Sequence, residues 1–169
     1  MSAPAITRRA LLKATLLGAG AVGFGVHGLD AAQAASGADA EVSSWIVIRT
    51  DGRVVIRIPQ SELGQGVTTS LAQLLAEELD LAWGEFDTEY FDAQINRQRH
   101  NVYVHTATLN SWSSDLLFEP MRLAGAQVKA MLLTAAAAQL KVTASTLRIA
   151  GARIEHAASG LADTAGGED

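Results

Sequence analysis

Apolar and polar residues change their spacing several times along this chain, and each change marks an element. Trp45-Ile46-Val47-Ile48-Arg49 is a short β-rich run, and Arg53-Val54-Val55-Ile56-Arg57-Ile58 is a second. Thr50-Asp51-Gly52 lies between them, and Asp-Gly between two such runs predicts a hairpin. Pro59 ends it. A loop from Gln60 to Gly66 leads into a predicted helix over Val67–Leu79, where Val67, Leu71, Leu74, Leu75 and Leu79 recur at helical spacing. Glu77, Glu78 and Asp80 close that helix with charge opposing its dipole, and they read as a solvated surface.

Beyond the first helix the pattern is mixed. Phe86, Tyr90 and Phe91 alternate with acids and predict a strand near Glu85–Phe91. Asn96–His100 reads as polar loop, Val102-Tyr103-Val104 as a further short strand, and Thr106–Ser114 as an ordered loop. Pro120 suits a first helical turn, with Asp115–Phe118 as a turn ahead of it. Met121, Ala124, Gly125, Val128, Met131, Leu132 and Ala135 then share one helical face. Glycine in a helix interior costs about 1 kcal/mol relative to alanine. Gly125 on so small a face therefore predicts close approach of another backbone. Leu147–Ala150 and Arg153–His156 form a second predicted hairpin across Gly151-Ala152. The order β-β-α-β-(β)-α-β-β predicts an α+β fold, a mixed sheet with helices on one side.

Composition narrows the class. The chain has 169 residues, enough for one globular domain with an ordinary core. Its net charge of -5 and lack of a basic patch argue against a nucleic-acid partner. It has no Cys, so it offers no disulfide, no thiolate metal site and no iron–sulfur ligands. His100 and His105, with Asp92 upstream, read as solvated loop residues rather than the tetrahedral set zinc requires. Ser111, Ser113 and Ser114 lack a nucleophile-elbow context. Trp45, Trp83 and Trp112 read as core or edge packing, and the Met121/Met131 stripe as core.

The loop ahead of the first helix carries the candidate chemistry. Gly64 and Gly66 flank Gln65, and glycine permits positive φ and close approach of a ligand to the backbone. The helix start offers free N–H groups to an anion, and Gln65 adds an uncharged acceptor and two donors. On the residues alone, this is either a cradle for an oxygen-rich anionic centre or a flexible helix-entry loop with an exposed glutamine.

Two stretches resemble known patterns. Thr7-Arg8-Arg9-Ala10-Leu11-Leu12-Lys13 resembles a twin-arginine export signal, with Arg8 and Arg9 as the pair that is read. A small-residue apolar run to about Val26 follows, too short for a stable membrane span, and Ala32-Gln33-Ala34 offers a cleavage site. This implies residues 1–34 as export signal, 35–44 as flexible lead-in, 45–160 as the domain and 161–169 as disordered tail, with a periplasmic destination reached through the export machinery.

Ser61-Glu62-Leu63-Gly64-Gln65-Gly66-Val67-Thr68-Thr69 closely resembles the signature of molybdopterin-binding large subunits of the xanthine oxidase family. The likeness extends through Leu71-Ala72-Gln73-Leu74, Met121-Arg122-Leu123-Ala124-Gly125-Ala126 and Val142-Thr143-Ala144-Ser145-Thr146-Leu147. Together with the export signal, it points to the branch of isoquinoline 1-oxidoreductase beta subunits and periplasmic aldehyde dehydrogenases. The resemblance implies a molybdenum cofactor held by molybdopterin, in the cytosine dinucleotide form. It implies hydroxylation of an N-heterocycle or oxidation of an aldehyde, with water as oxygen donor and electrons leaving through an iron–sulfur small subunit. It assigns Gln65 as a hydrogen-bond partner of the molybdenum ligands and Gly64 and Gly66 as the backbone that allows this.

The chain departs from the family at Thr108-Leu109-Asn110-Ser111, where a Thr-Gly-Gly-Ser loop is usual, and at Gln127-Val128-Lys129. The family's catalytic glutamate region has no match here, so no catalytic residue is assigned and Glu62 is left without a role. The expectation is an amino-terminal part of a large subunit completed by another chain. The alternative is a non-catalytic periplasmic protein-binding module or truncated remnant.

Overall fold

The computed structural model describes residues 5–7, 39–150 and 153–156. The export pair Arg8 and Arg9, the cleavage site and the tail 161–169 lie outside the described residues.

Among the described residues, seven strands form two sheets. Strands β2 (Ala40–Ser43), β3 (Ile46–Ile48), β4 (Val54–Ile58) and β5 (Phe86–Tyr90) make a four-stranded sheet in the order β2-β3-β4-β5. Its first two pairings are antiparallel, and β4 pairs with β5 in parallel, Val54 opposite Phe86 and Ile58 opposite Tyr90. Strand β1 (Ala5–Thr7) joins β6 (Leu147–Ala150) and β7 (Arg153–His156) in a separate antiparallel sheet ordered β1-β7-β6.

The predicted hairpin is β3–β4, closed by Gly52 at φ 93°, and the second predicted hairpin is β6–β7. The expected α+β fold with a mixed sheet is present in β2–β5, and the three-stranded antiparallel sheet stands beside it. A parallel neighbour needs a crossover, and helix α1 (Val67–Glu78) supplies it between β4 and β5. Its apolar stripe, Val67, Leu71, Leu75 and Leu79, is buried with Ile46, Ile56 and Ile58 of the sheet.

Helix α3 (Ser113–Leu140) lies against α1 and buries Leu117, Met121, Ala124, Val128, Leu132 and Ala136. At Gly125 the two helices are in close contact. A Cβ placed there would sit 2.8 Å from the Leu75 carbonyl oxygen and 2.8 Å from Glu78 Cβ. The close backbone approach predicted from the sequence is therefore real. Glu78 and Asp80 are not merely solvated: Arg122 pairs with Glu78, and Lys129 with Asp80 at 2.6 Å. By length and composition α3 is the one described helix that could cross a membrane. Here one of its faces is committed to α1 and the core.

Five expectations are corrected. Ala40–Ser43, assigned to a flexible lead-in, is a strand, and Val42 on it is buried. Asn96–His100, read as loop, overlaps helix α2 (Ala93–Gln98), whose N-cap Asp92 accepts from the amides of Gln94 and Ile95 at 2.7 and 2.8 Å. Val102–Val104 is no strand. Helix α3 starts at Ser113 rather than Pro120 and carries Pro120 inside it. Trp83 and Trp112 are mostly exposed, while Trp45 packs against the core.

One ion-pair group crosses the sheet. Arg57 on β4 donates to Glu41 at 2.7 Å and to Glu89 at 2.8 Å, and Arg99 also donates to Glu41. Burial alone would raise the Glu41 carboxyl, but hydrogen bonds and charge from Arg99 and Arg57 outweigh it and hold the group below its ordinary 4.5. A depressed folded value stabilises the protein fully above the unfolded value, and that contribution is lost as pH falls through the folded one. Acid titration of the melting temperature is expected to fall less steeply below pH 4.5 for Glu41→Gln than for the parent. Parallel curves would show that the group does not link folding to pH.

Candidate functional site

The end of β4 delivers the chain into the loop 60–66, and a second loop pins it there. Gln60 Nε2 donates to the His105 carbonyl at 3.3 Å. The Ser61 amide donates to Thr108 Oγ1 at 3.0 Å, and that hydroxyl donates back to the Ser61 carbonyl at 3.1 Å. The Glu62 amide reaches the Tyr90 hydroxyl at 3.4 Å. The two stretches that carry the family resemblance and its main departure, 61–69 and 108–111, are thus adjacent in space.

Within the loop, Gly64 and Gly66 take φ of 95° and 78°, the left-handed region that glycine enters without strain. No atom lies within 4 Å of a Cβ built on either, so their faces are open. Gln65 is exposed and held by its own loop. Its Oε1 accepts from the Leu63 amide at 2.6 Å, and its Nε2 donates to the Ser61 carbonyl at 3.2 Å. One of the two Nε2 hydrogens remains for an outside acceptor. Gln65 is thus exposed, as the helix-entry alternative has it, and also bonded at both amide atoms to the loop's own backbone.

Part of the amide set expected to be free at the helix start is already taken. Glu62 Oε1 accepts from the amides of Gly64 and Gly66, both at 2.8 Å, and Oε2 accepts from Thr68 at 3.1 Å. The amides of Gly66, Thr68 and Gly64 hold the Glu62 carboxyl below its ordinary value. Sequence reasoning left this residue without a role. The signal lay in its position, two residues before one glycine and four before the other.

The second loop also departs from expectation. Leu109 and Asn110 stand where the family has two glycines, yet Asn110 and Ser111 adopt φ of 51° and 56°. Asparagine tolerates the left-handed region because its short polar side chain can bond locally. Leu109, at the other glycine position, is not in that region.

The chemistry of these residues suits an oxygen-rich group such as molybdopterin. They present a neutral donor at Gln65 and an open glycine face. Among the described residues, the buried Gln60 Oε1 at the start of this loop has no partner, whereas the Thr68 hydroxyl at its end lies by the Glu62 carboxylate. Buried polar atoms are rarely left without a partner. Leu63 in this loop and Val104 and Leu109 in the stretch that pins it are exposed, Leu63 and Val104 at 74% and 76%.

Three relatives match part of the chain. The beta subunit of isoquinoline 1-oxidoreductase from Brevundimonas diminuta is 34% identical over 104 residues, 61% of this chain and 13% of that protein. The membrane-bound aldehyde dehydrogenase (pyrroloquinoline-quinone) of Gluconacetobacter polyoxogenes is 28% identical over 65% of this chain and 14% of its own length. A nicotinate dehydrogenase subunit of Pseudomonas putida is 32% identical over 64% of this chain and 9% of its own. The chain thus spans about one-seventh or less of each relative it matches. The model of the molybdopterin cofactor-binding domain matches residues 7–166, nearly the whole chain, and the protein belongs to that family.

Proposed function

We propose that this chain supplies the Gln65 wall of the active site in a molybdenum hydroxylase, acting on an N-heterocycle or an aldehyde with water as the oxygen donor. The observation that carries the reading is the pinned Gln65 amide, which keeps one hydrogen for an outside acceptor. When bound, molybdenum on its pterin would supply the two-electron redox change. The chain's own part is to orient: Gln65 offers a neutral hydrogen bond, and the open faces of Gly64 and Gly66 let a ligand approach. The substrate classes follow the names of the relatives, two of which concern nitrogen heterocycles and one an aldehyde.

In this reading the cofactor is the cytosine dinucleotide form. Further large-subunit polypeptide completes the site, and an iron–sulfur subunit takes the electrons. Two relatives are named as subunits, which supports an assembly. The Arg8-Arg9 motif supports export to the periplasm by the twin-arginine route.

Removing a hydrogen-bond partner just outside a metal's ligands typically costs 10–100-fold in activity or metal affinity. The complex purified from the native host should therefore carry molybdenum, and Gln65→Ala should lower turnover by about 10–100-fold with metal content measured in parallel. Full turnover of the variant at full molybdenum would remove Gln65 from the site. Pyrroloquinoline quinone in place of molybdenum would move the chain to the chemistry in the Gluconacetobacter relative's name.

A further inference from the structure

The residue after β4 that does most to shape this site is one the family motif leaves unexplained. Helix α1 begins at Gly66, which has no side chain with which to cap it. The first amides of any helix lack internal partners. In most helices a Ser, Thr, Asp or Asn at the N-cap answers one of them. Here the answer comes from four residues upstream. Glu62 reaches across the turn, and its two oxygens take the amides of Gly64, Gly66 and Thr68.

We propose that Glu62 is a positioning residue: its carboxylate is a built-in anion that fills the amide cradle at the start of α1 and fixes the turn on which Gln65 stands. The residues it grips flank Gln65 on both sides. The backbone from residue 64 to residue 66 is therefore held at each end, and from it the Gln65 side chain bonds to Ser61 and Leu63 with one Nε2 hydrogen left over. Electrostatics agree, since a carboxylate at a helix N-terminus is on the favourable end of the dipole. The depressed carboxyl of Glu62 is the same effect seen from the acid's side.

There is a consequence for recognition. The amide cradle at a helix start commonly receives phosphate or another anion, but here it is already occupied by the chain's own carboxylate. The loop therefore offers a partner the neutral Gln65 donor, while the amides of Gly64, Gly66 and Thr68 are already engaged. For its effect on turnover this inference rests on the reading of Gln65 given above. For its effect on the loop it does not.

The test separates the two. In the full 169-residue chain, amide hydrogen exchange of Gly64, Gly66 and Thr68 should speed at least about tenfold in Glu62→Ala. Glu62→Gln keeps one acceptor oxygen and should fall between. Added acetate should slow exchange at those three amides in Glu62→Ala and leave the parent unchanged, because only the variant has an open cradle. Unchanged exchange in both variants, or an equal response of the parent to acetate, would overturn the proposal. These readouts need no cofactor, so they stand if the molybdenum reading fails. In a molybdenum-loaded complex, the double variant Glu62→Ala/Gln65→Ala should be no slower than Gln65→Ala alone, since a residue acting only through Gln65 adds nothing once it is gone. Additive losses would mean that Glu62 acts on its own account.

Discussion

Gly125→Leu is expected to cost more than any other single change in the helix pair, about 3 kcal/mol or more, and to abolish folding where the margin is small. The reason is steric. Even the Cβ of alanine would stand 2.8 Å from the Leu75 carbonyl oxygen, and that oxygen already accepts the Leu79 amide at 3.2 Å. Relief requires α1 to move as a body, because a helical carbonyl cannot swing aside without losing its bond.

Gly125→Ala is the finer probe. Propensity alone would gain about 1 kcal/mol, whereas overpacking costs about 1–3 kcal/mol, so a net loss in urea denaturation is expected. The control Ala130→Leu, at an exposed position of the same helix, should be close to neutral. A Gly125→Ala variant more stable than the parent would mean that the helices slide apart freely. The result bears on function as well as folding, because α1 starts at the Gln65 loop and any displacement of the helix carries the loop with it.

Tyr103→Ala should lose about 3–5 kcal/mol, the usual cost of deleting a large buried ring. Tyr103 is buried, with its ring edge-on to Trp45 at 4.7 Å and to Phe91 at 5.4 Å between centroids. Its hydroxyl donates to the Ser44 carbonyl, and burial pushes the phenol up to about 12, which keeps that proton in place at neutral pH. Tyr103→Phe isolates the hydroxyl and should cost about 1 kcal/mol. Tyr103 also anchors the stretch that runs on to His105 and Thr108, the two residues that hold the Gln65 loop. Amide exchange at Ser61 should therefore rise in Tyr103→Ala. A loss under about 1 kcal/mol with Ser61 unaffected would uncouple the aromatic cluster from the site.

The elements with strong periodicity were readable in advance, and the exceptions have particular causes. Asp51-Gly52 and the stripe of α1 announced themselves because turn chemistry and apolar spacing agree there. Gly125 did so because its cost in a helix demanded a reason. Helix α2 has no apolar stripe, so Ala93–Gln98 looked like loop. Its one cue was Asp92 in the capping position.

Val102-Tyr103-Val104 had strand composition and no strand to pair with. Instead, the side chain of Asn96 accepts from the Tyr103 amide at 3.0 Å and donates to its carbonyl at 3.3 Å, as a neighbouring strand would. Pro120 misplaced the start of α3 because proline is a signal of helix starts only on average. At the site, Gln65 and its glycines were visible as a motif. Glu62 and Thr108 were not, because their roles depend on a turn geometry and on a contact between residues 47 apart in sequence.

Strand β5 ends its sheet, so one of its edges has no strand beside it among the described residues. Such edges invite strands from other molecules and are a common route to aggregation. If two copies of β5 met antiparallel about Thr88, Asp87 of each would face Glu89 of the other, and like charges directly opposite repel. Within its own sheet each acid already has an arginine, Asp87 with Arg53 and Glu89 with Arg57. The same two carboxylates that fasten β5 to its neighbours thus make it a poor template for its own kind.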